Sequence, residues 1–402
     1  MRLLAKEKVN QGRQPEIDLL KALCIIGMIF NHVFEDLTTY DAGLVEVLNE
    51  YLVVLIGAGV FMFCMGLTMH YSRSQTPGAY ASRGFAILTV GQLLNLFRNA
   101  LPNLIAYWCT GKQWFIAQTL LVLQTDILSF AGLAFLAIAL CKRFKVSGAA
   151  ILGVGIVLNL AAWPLSALVP ADGNYLIRQL LGFLVLTNAE SYFPLTSYFL
   201  FVAFGYWIGE LYPRIADKDA LAKRILITLT PIYAVYQILR ATVEIPFLPE
   251  FQSDLQYVLQ YGPDGWMSCA VALMMLSLLH LIIRRTGGRL SPVFTHLSSH
   301  INRYYCVSYL FILPTQTLLM AVQEALWEGW LIPTVYAIVL LFVCYWIIER
   351  YSRWRKRHPL KPGSRRQMIK TAAIWGMTVL VILYAYPRIE VYANIWNEYL
   401  LP

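Results

Sequence analysis

A bundle of membrane-spanning α-helices is the fold class this sequence predicts, and three observations predict it. Hydrophobic residues fill 58% of the 402 positions and charged residues only 14%, with a mean hydropathy of +0.57; a soluble chain carries about a quarter charged residues. The charges fall between apolar runs of about 20 residues, the length that crosses a bilayer. The runs are continuous and not alternating, which selects helices over a closed barrel, the two architectures that satisfy their backbone inside lipid. The expectation is an all-α, polytopic integral membrane bundle of about 11 transmembrane helices with a cytoplasmic N-terminus.

The spans follow in order. The first, 18–36, starts after Pro15, which suits a first helical turn, and ends in Asn31-His32-Val33-Phe34-Glu35-Asp36. Acidic residues and no small-residue cleavage site follow its apolar run, so it is expected to be retained and not removed as a signal. The remaining windows are 50–70, 84–106, 114–140, 147–168, 194–212, 223–243, 265–283, 303–323, 330–349 and 369–387. Segment 175–188 is too short and polar-flanked to span, and reads as re-entrant or interfacial. Gly205-x-x-x-Gly209 reads as a close helix-packing step.

Orientation follows from the basic residues. With residues 1–17 in the cytoplasm, every lysine and arginine falls on a cytoplasmic segment except Arg98, Lys112, Arg178, Arg240 and Arg388. The net charge of +9 is therefore a topology signal and not a nucleic-acid footprint, and the basic stretch Arg350–Lys370 reads as orientation plus attraction to anionic lipid. Residues 388–402 become an extracytoplasmic tail. The seven cysteines are scattered in or beside apolar runs without metal or redox spacing. The six histidines show no zinc spacing, so no metal is expected.

Several residues could carry chemistry. His32 and Asp36, four apart on a helix, share a face. A carboxylate there would orient the imidazole, which could take a proton from a hydroxyl or amine or carry an acyl group itself. The plainer reading is the polar outer end of a helix. Asp18 complements the positive end of the same helix, and Arg13 and Lys21 beside it could hold a phosphate-bearing cofactor. Arg73 and Arg83, near Ser72, are either orienting charges or phosphate contacts. Arg98 and Asp126 fall inside predicted spans, where charges are costly. At 1.5 Å per residue they lie roughly 20 Å up the third span and roughly 18 Å down the fourth, overlapping to within about 8 Å. They are expected either to pair or to line a substrate cavity. Asn188, Glu190 and Tyr192 form a polar, aromatic patch that could receive a sugar or be an ordinary wet loop.

At these residues the chain resembles the transmembrane acyltransferase superfamily, and within it the heparan-alpha-glucosaminide N-acetyltransferase-like bacterial branch. The opening Arg13-x-x-x-Ile17-Asp18-x-x-Lys21, the Gly27-Met28 step and His32-x-x-x-Asp36-Leu37 carry the likeness. So do Gly59–Arg73, Asp126-Ile127-Leu128-x-x-x-Gly132-Leu133, and Tyr192-Phe193-Pro194-Leu195 through Gly205 and Gly209. The resemblance covers most of 13–212 and, more weakly, 290–350.

The resemblance implies one transmembrane acyltransferase-like domain over 1–402. It would move an acetyl or other acyl group from cytoplasmic acyl-CoA to an extracytoplasmic sugar amine or hydroxyl of a glycan or glycolipid. His32 would be base or acyl carrier, Asn31 would polarise the thioester carbonyl and Asp36 would assist. By their position and charge, Arg13, Lys21, Arg73 and Arg83 would then hold the CoA phosphates, and Arg98, Asp126 and Glu190 the substrate. The expected partners are membrane lipids, the glycan acceptor and a second copy of the chain as a homodimer, with no nucleic acid; the expected place is a bacterial plasma membrane. Two positions depart from the family pattern. Lys21-Ala22 stands where Arg-Gly is usual, and Ile312 stands where a late segment, Tyr309-Leu310-Phe311-Ile312-Leu313-Pro314, would carry a histidine. The alternatives are a transporter or flippase for a lipid-linked or anionic solute, using Arg98 and Asp126 as coupling or substrate charges, and a catalytically inactive partner or sensing subunit.

Overall fold

The computed structural model describes residues 4–39, 55–169, 174–187, 191–242, 260–358 and 365–390. Among them the chain is helical with no named strand, only isolated bridges. In chain order the helices are α1 (Pro15–Leu37), α2 (Ala58–Thr68), α3 (Pro77–Asn95), α4 (Leu101–Thr110), α5 (Gln113–Gln118), α6 (Ile127–Arg143), α7 (Gly148–Ala167) and α8 (Tyr175–Gly182). They continue as α9 (Leu195–Leu211), α10 (Lys218–Thr242), α11 (Pro263–Arg285), α12 (Pro292–Ser299), α13 (Ile301–Val322), α14 (Leu331–Arg357) and α15 (Arg365–Glu390).

Among the described residues, seven helical stretches are long and apolar enough to cross a membrane. They coincide with the windows at 18–36, 114–140, 147–168, 265–283, 303–323, 330–349 and 369–387. The chain is thus an all-α, multi-pass membrane protein. The other four windows are helical where described but fall short for identifiable reasons. In 50–70 the helix begins only at Ala58, and residues 50–54 lie outside the described set. The window 84–106 is interrupted by a π-helical turn, Leu96–Ala100. In 194–212, α9 has 17 residues. In 223–243, Lys223, Arg224 and Arg240 dilute the apolar run.

The described residues divide into two compact units: those within 1–28, 50–84 and 130–299 form one, and those within 29–49, 85–129 and 300–402 the other. In the first, small residues set the spacing. A Cβ at Gly205 would strike the Phe63 carbonyl, one at Gly66 the Val202 carbonyl and one at Gly209 the Leu67 carbonyl, so α2 and α9 lie backbone to backbone. Ile17, Leu20 and Cys24 of α1, Phe63, Cys64 and Leu67 of α2, and Ala272, Leu276 and Leu279 of α11 form its core. The fully buried Asn159 of α7 ties three strands of chain together. Its amide donates to the Ser197 and Gln260 carbonyls at 3.0 and 2.9 Å, and its carbonyl accepts from Gly262 N at 2.9 Å.

In the second unit the backbone is broken in two places, and the breaks serve each other. Pro102 lacks the N–H that would bond the Arg98 carbonyl, and the helix widens into the π turn just before it. The fourth window is not one helix. After α5 it tightens into a 3₁₀ segment, Thr119–Leu123, and opens at Gln124–Asp126 before α6. Carbonyls freed at such a break must find donors in the membrane interior. Gln92 Nε2 donates to the Val122 carbonyl at 2.9 Å, Asn95 Nδ2 to Val122 and Gln124 at 3.3 Å each, and Asn99 Nδ2 to Leu121 at 3.3 Å. On the other side of the break Asp126 Oδ1 accepts from Ser129 N at 2.9 Å, capping α6.

Candidate functional site

The candidate site lies in the second unit, at the end of α1 and along one face of α13. Helical spacing puts Asn31, His32, Glu35 and Asp36 together. Glu35 Oε2 accepts from Asn31 Nδ2 at 3.0 Å and lies 3.1 Å from His32 Nδ1. Asp36 Oδ2 is 3.9 Å from the same nitrogen, beyond hydrogen-bond length. The sequence reading assigned the orienting carboxylate to Asp36; the geometry gives that place to Glu35, because its side chain folds back over the preceding turn onto the ring. The signal was present in the spacing, since i,i+3 neighbours meet as readily as i,i+4.

An imidazole donating Nδ1–H to a carboxylate carries its lone pair on Nε2. Among the described residues Nε2 accepts no hydrogen bond, and the His32 side chain remains 23% exposed. An imidazole held at one nitrogen by a carboxylate, its other nitrogen engaged by no hydrogen bond among the described residues, is the arrangement a general base or an acyl-accepting nitrogen requires.

Behind the histidine stands Tyr309 of α13, its ring 4.8 Å from the imidazole. The Arg98 guanidinium lies 4.6 Å from the centre of the Tyr309 ring, a cation–π contact in a desolvated setting. Arg98 is 1% exposed and nearly saturated. Its Nε donates to Asn95 Oδ1 at 3.0 Å, Nη1 to the Tyr305 hydroxyl at 3.1 Å, and Nη2 to Asp126 Oδ2 at 3.1 Å and Gln124 Oε1 at 3.3 Å. The Tyr305 hydroxyl in turn lies 3.2 Å from Asp126 Oδ2. Arg98 and Asp126 are thus brought together, and their hydrogen bonding is taken up by protein groups. The pair supports Tyr309, and through it the histidine, and leaves little for a substrate to bind. Ile312 is fully buried one turn beyond Tyr309 on the same face of α13. His300 lies 3.2 Å from the Ser352 hydroxyl.

The proposed cofactor cations lie in the first unit. Arg13 pairs with Asp18 and donates to the Thr295 carbonyl at 3.1 Å and Ser299 Oγ at 2.9 Å; Ser298 Oγ also donates to Asp18, at 2.5 Å. Lys21 makes no hydrogen bond among the described residues, and its charged neighbours are Asp18, Arg13 and Arg83. Arg83 lies over the Phe135 ring at 4.8 Å and lines a cavity of about 220 Å³ with Ser72, Ser74, Tyr80 and Phe135. Arg73 is exposed in the loop after α2. Glu190 lies outside the described residues. No group of three or more His, Cys, Asp or Glu side chains among the described residues could hold a metal. A further network was not foreseen. Buried Glu16 accepts from Lys218 Nζ at 2.6 Å and from the Tyr212 hydroxyl. His280 bridges toward it from Asp219, 2.9 Å from that carboxylate and 3.8 Å from Glu16.

A helical membrane protein with a carboxylate-held histidine at the end of its first helix is equipped for group transfer to or from a hydroxyl, an amine or a thioester. The family model for the acyltransferase domain matches residues 14–349, and the chain belongs to that family, acyltransferase 3, a transmembrane acyltransferase family. The match supports that family and not the heparan-alpha-glucosaminide N-acetyltransferase-like branch. Neither the curated proteins nor the solved structures compared with the chain gave a match. The protein is thus a membrane acyltransferase, with an acyl donor as co-substrate.

Proposed function

We propose that this acyltransferase takes an acetyl or other acyl group from acyl-CoA on the cytoplasmic side and passes it to a sugar amine or hydroxyl of an extracytoplasmic glycan or glycolipid. It would act as a single domain of about eleven spans in a bacterial plasma membrane, with its N-terminus inside. The observation that carries the reading is His32 held at Nδ1 by Glu35 with Nε2 left as a base. The imidazole either takes the acceptor's proton as that group attacks the thioester, or accepts the acyl group first. Asn31 is held on the same carboxylate beside it. Lys21 and Arg83 enter no ion pair among the described residues, which suits cations kept for the phosphates of the donor; Arg13 and Arg73 would assist.

A transporter would use Arg98 and Asp126 as coupling charges. Their closure on Tyr305, Gln124 and Asn95 counts against that use. The test is acyl-CoA binding by calorimetry, with thioester hydrolysis followed in the same samples, for wild type and His32→Ala. Saturable binding by both with turnover in wild type alone supports the reading. No binding by either protein refutes it, and uptake of solute into CoA-free proteoliposomes would then favour transport.

A further inference from the structure

The two carboxylates at the end of α1 are not equivalent. Glu35 is occupied, one oxygen serving both Asn31 Nδ2 and His32 Nδ1. Asp36 Oδ2 is buried, stands 3.9 Å from His32 Nδ1, and has no hydrogen-bond partner among the described residues. The neighbouring cation does not serve it, because Arg98 is committed to Asp126, Tyr305, Gln124 and Asn95 and lies against Tyr309. A buried carboxylate oxygen without a donor is costly, and Asp36 is the one carboxylate so placed among the described residues.

We infer that Asp36 is the acceptor-binding residue, its Oδ2 taking a hydrogen bond from the hydroxyl to be acylated, or from an ammonium that gives a proton to His32 before its nitrogen is acylated, while Glu35 alone orients the base. This rests on the reading of His32 as the base of an acyltransferase. Oδ2 lies 3.9 Å from His32 Nδ1; Nε2 lies about 2.2 Å across the ring, so within about 6 Å of Oδ2, a gap matched by one acceptor atom hydrogen-bonded at about 2.8 Å to each. The acceptor would thus be delivered to the ring by the residue next to the one that fixes the ring.

The experiment uses the full chain in nanodiscs, acetyl-CoA as donor, and methyl glucosaminide and methyl glucoside as acceptor probes. Asp36→Ala is expected to raise the acceptor KM at least tenfold with kcat changed less than about threefold, and to leave the thermal midpoint unchanged or raised, since an unpaired oxygen has been removed. Glu35→Gln is expected to do the reverse, lowering kcat about 10- to 100-fold at constant acceptor KM. A larger KM effect on the glucosaminide identifies an ammonium as the bound group, and equal effects identify a hydroxyl. Asp36→Asn, nearly the same size, repeats the measurement should the alanine variant not fold. The inference is overturned if Asp36→Ala lowers kcat at unchanged acceptor KM, which makes Asp36 a second positioning residue. It is equally overturned if neither constant moves, or if the thermal midpoint falls sharply in both Asp36 variants. Failure of wild type to bind acetyl-CoA would sink the function reading itself, and is read separately from the variants.

Discussion

Replacing Asp126 by asparagine removes one charge from the interior of the second unit and turns the oxygen that accepts from Arg98 into an N–H donor. The amide oxygen can still cap α6 through Ser129 N, as Oδ1 does now at 2.9 Å, so the loss falls on the other oxygen. There Arg98 Nη2 sits at 3.1 Å and the Tyr305 hydroxyl at 3.2 Å, with Arg98 1% exposed. At 3.1 Å and an effective dielectric of about 20 the attraction is about 5 kcal/mol. Removing one partner of a buried pair costs about 3–5 kcal/mol, because the survivor stays charged and desolvated. An ordinary interhelical hydrogen bond in a membrane protein is worth only about 0.6 kcal/mol on average, so the two pictures separate cleanly. Equilibrium unfolding in mixed micelles, followed by tryptophan fluorescence, measures the difference. Asp126→Asn is expected to lose about 3–5 kcal/mol, and Arg98→Met added to it should restore most of that, since the pair is then replaced and not broken. A loss under about 1 kcal/mol, or a double variant less stable than the single, would refute the view that Arg98 depends on Asp126 for its charge.

Other outcomes follow from the same geometry. Tyr309→Leu removes the ring shared by His32 and Arg98 and should cost about 1 kcal/mol or more of cation–π stabilisation together with a fall in kcat; unchanged turnover and stability would count against a supporting role. Gly205→Val should abolish monodisperse expression, because its Cβ has no room beside the Phe63 carbonyl; size-exclusion chromatography decides. Asn159→Leu strands the Gly262 N–H and should cost about 1–3 kcal/mol, read by the same unfolding titration. Cys109 is a free, exposed thiol on the side assigned as extracytoplasmic, so a membrane-impermeant maleimide should label it in intact cells; protection until lysis would reverse the orientation.

Much of the helical plan was legible because a bilayer demands long apolar runs, and a run such as 265–283 has no other use. The Arg98–Asp126 pairing was legible for the same reason: two opposite charges at similar depth on successive spans have few other places to go. That Gly205 and Gly209 mark a close helix contact followed from side-chain size; that α2 is the partner did not. What could not be read was where a continuous apolar window stops being one helix. Nothing in Thr119-Leu120-Leu121-Val122-Leu123 announces the break. The break is stabilised by amides 22 to 30 residues earlier, and periodicity carries no information about partners at that distance. The priority of Glu35 over Asp36 was likewise decided by rotamer and packing, and Tyr309 by the fold bringing α13 to the end of α1. How fully Arg98 and Asp126 are satisfied was not legible either, because a sequence shows that charges are present but not how many neighbours satisfy them.

The broken helix also bears on how the chain is made. Synthesis runs from the N-terminus, so Gln92, Asn95 and Asn99 leave the ribosome before the carbonyls of Leu121, Val122 and Gln124 that they will satisfy. The donors wait in the membrane for their acceptors, and the later segment never needs to sit in lipid with its backbone open. Circular permutation that reversed this order, placing 113–143 ahead of 77–110, would keep every contact of the finished protein and still present the insertion machinery with exposed carbonyls and no template to receive them.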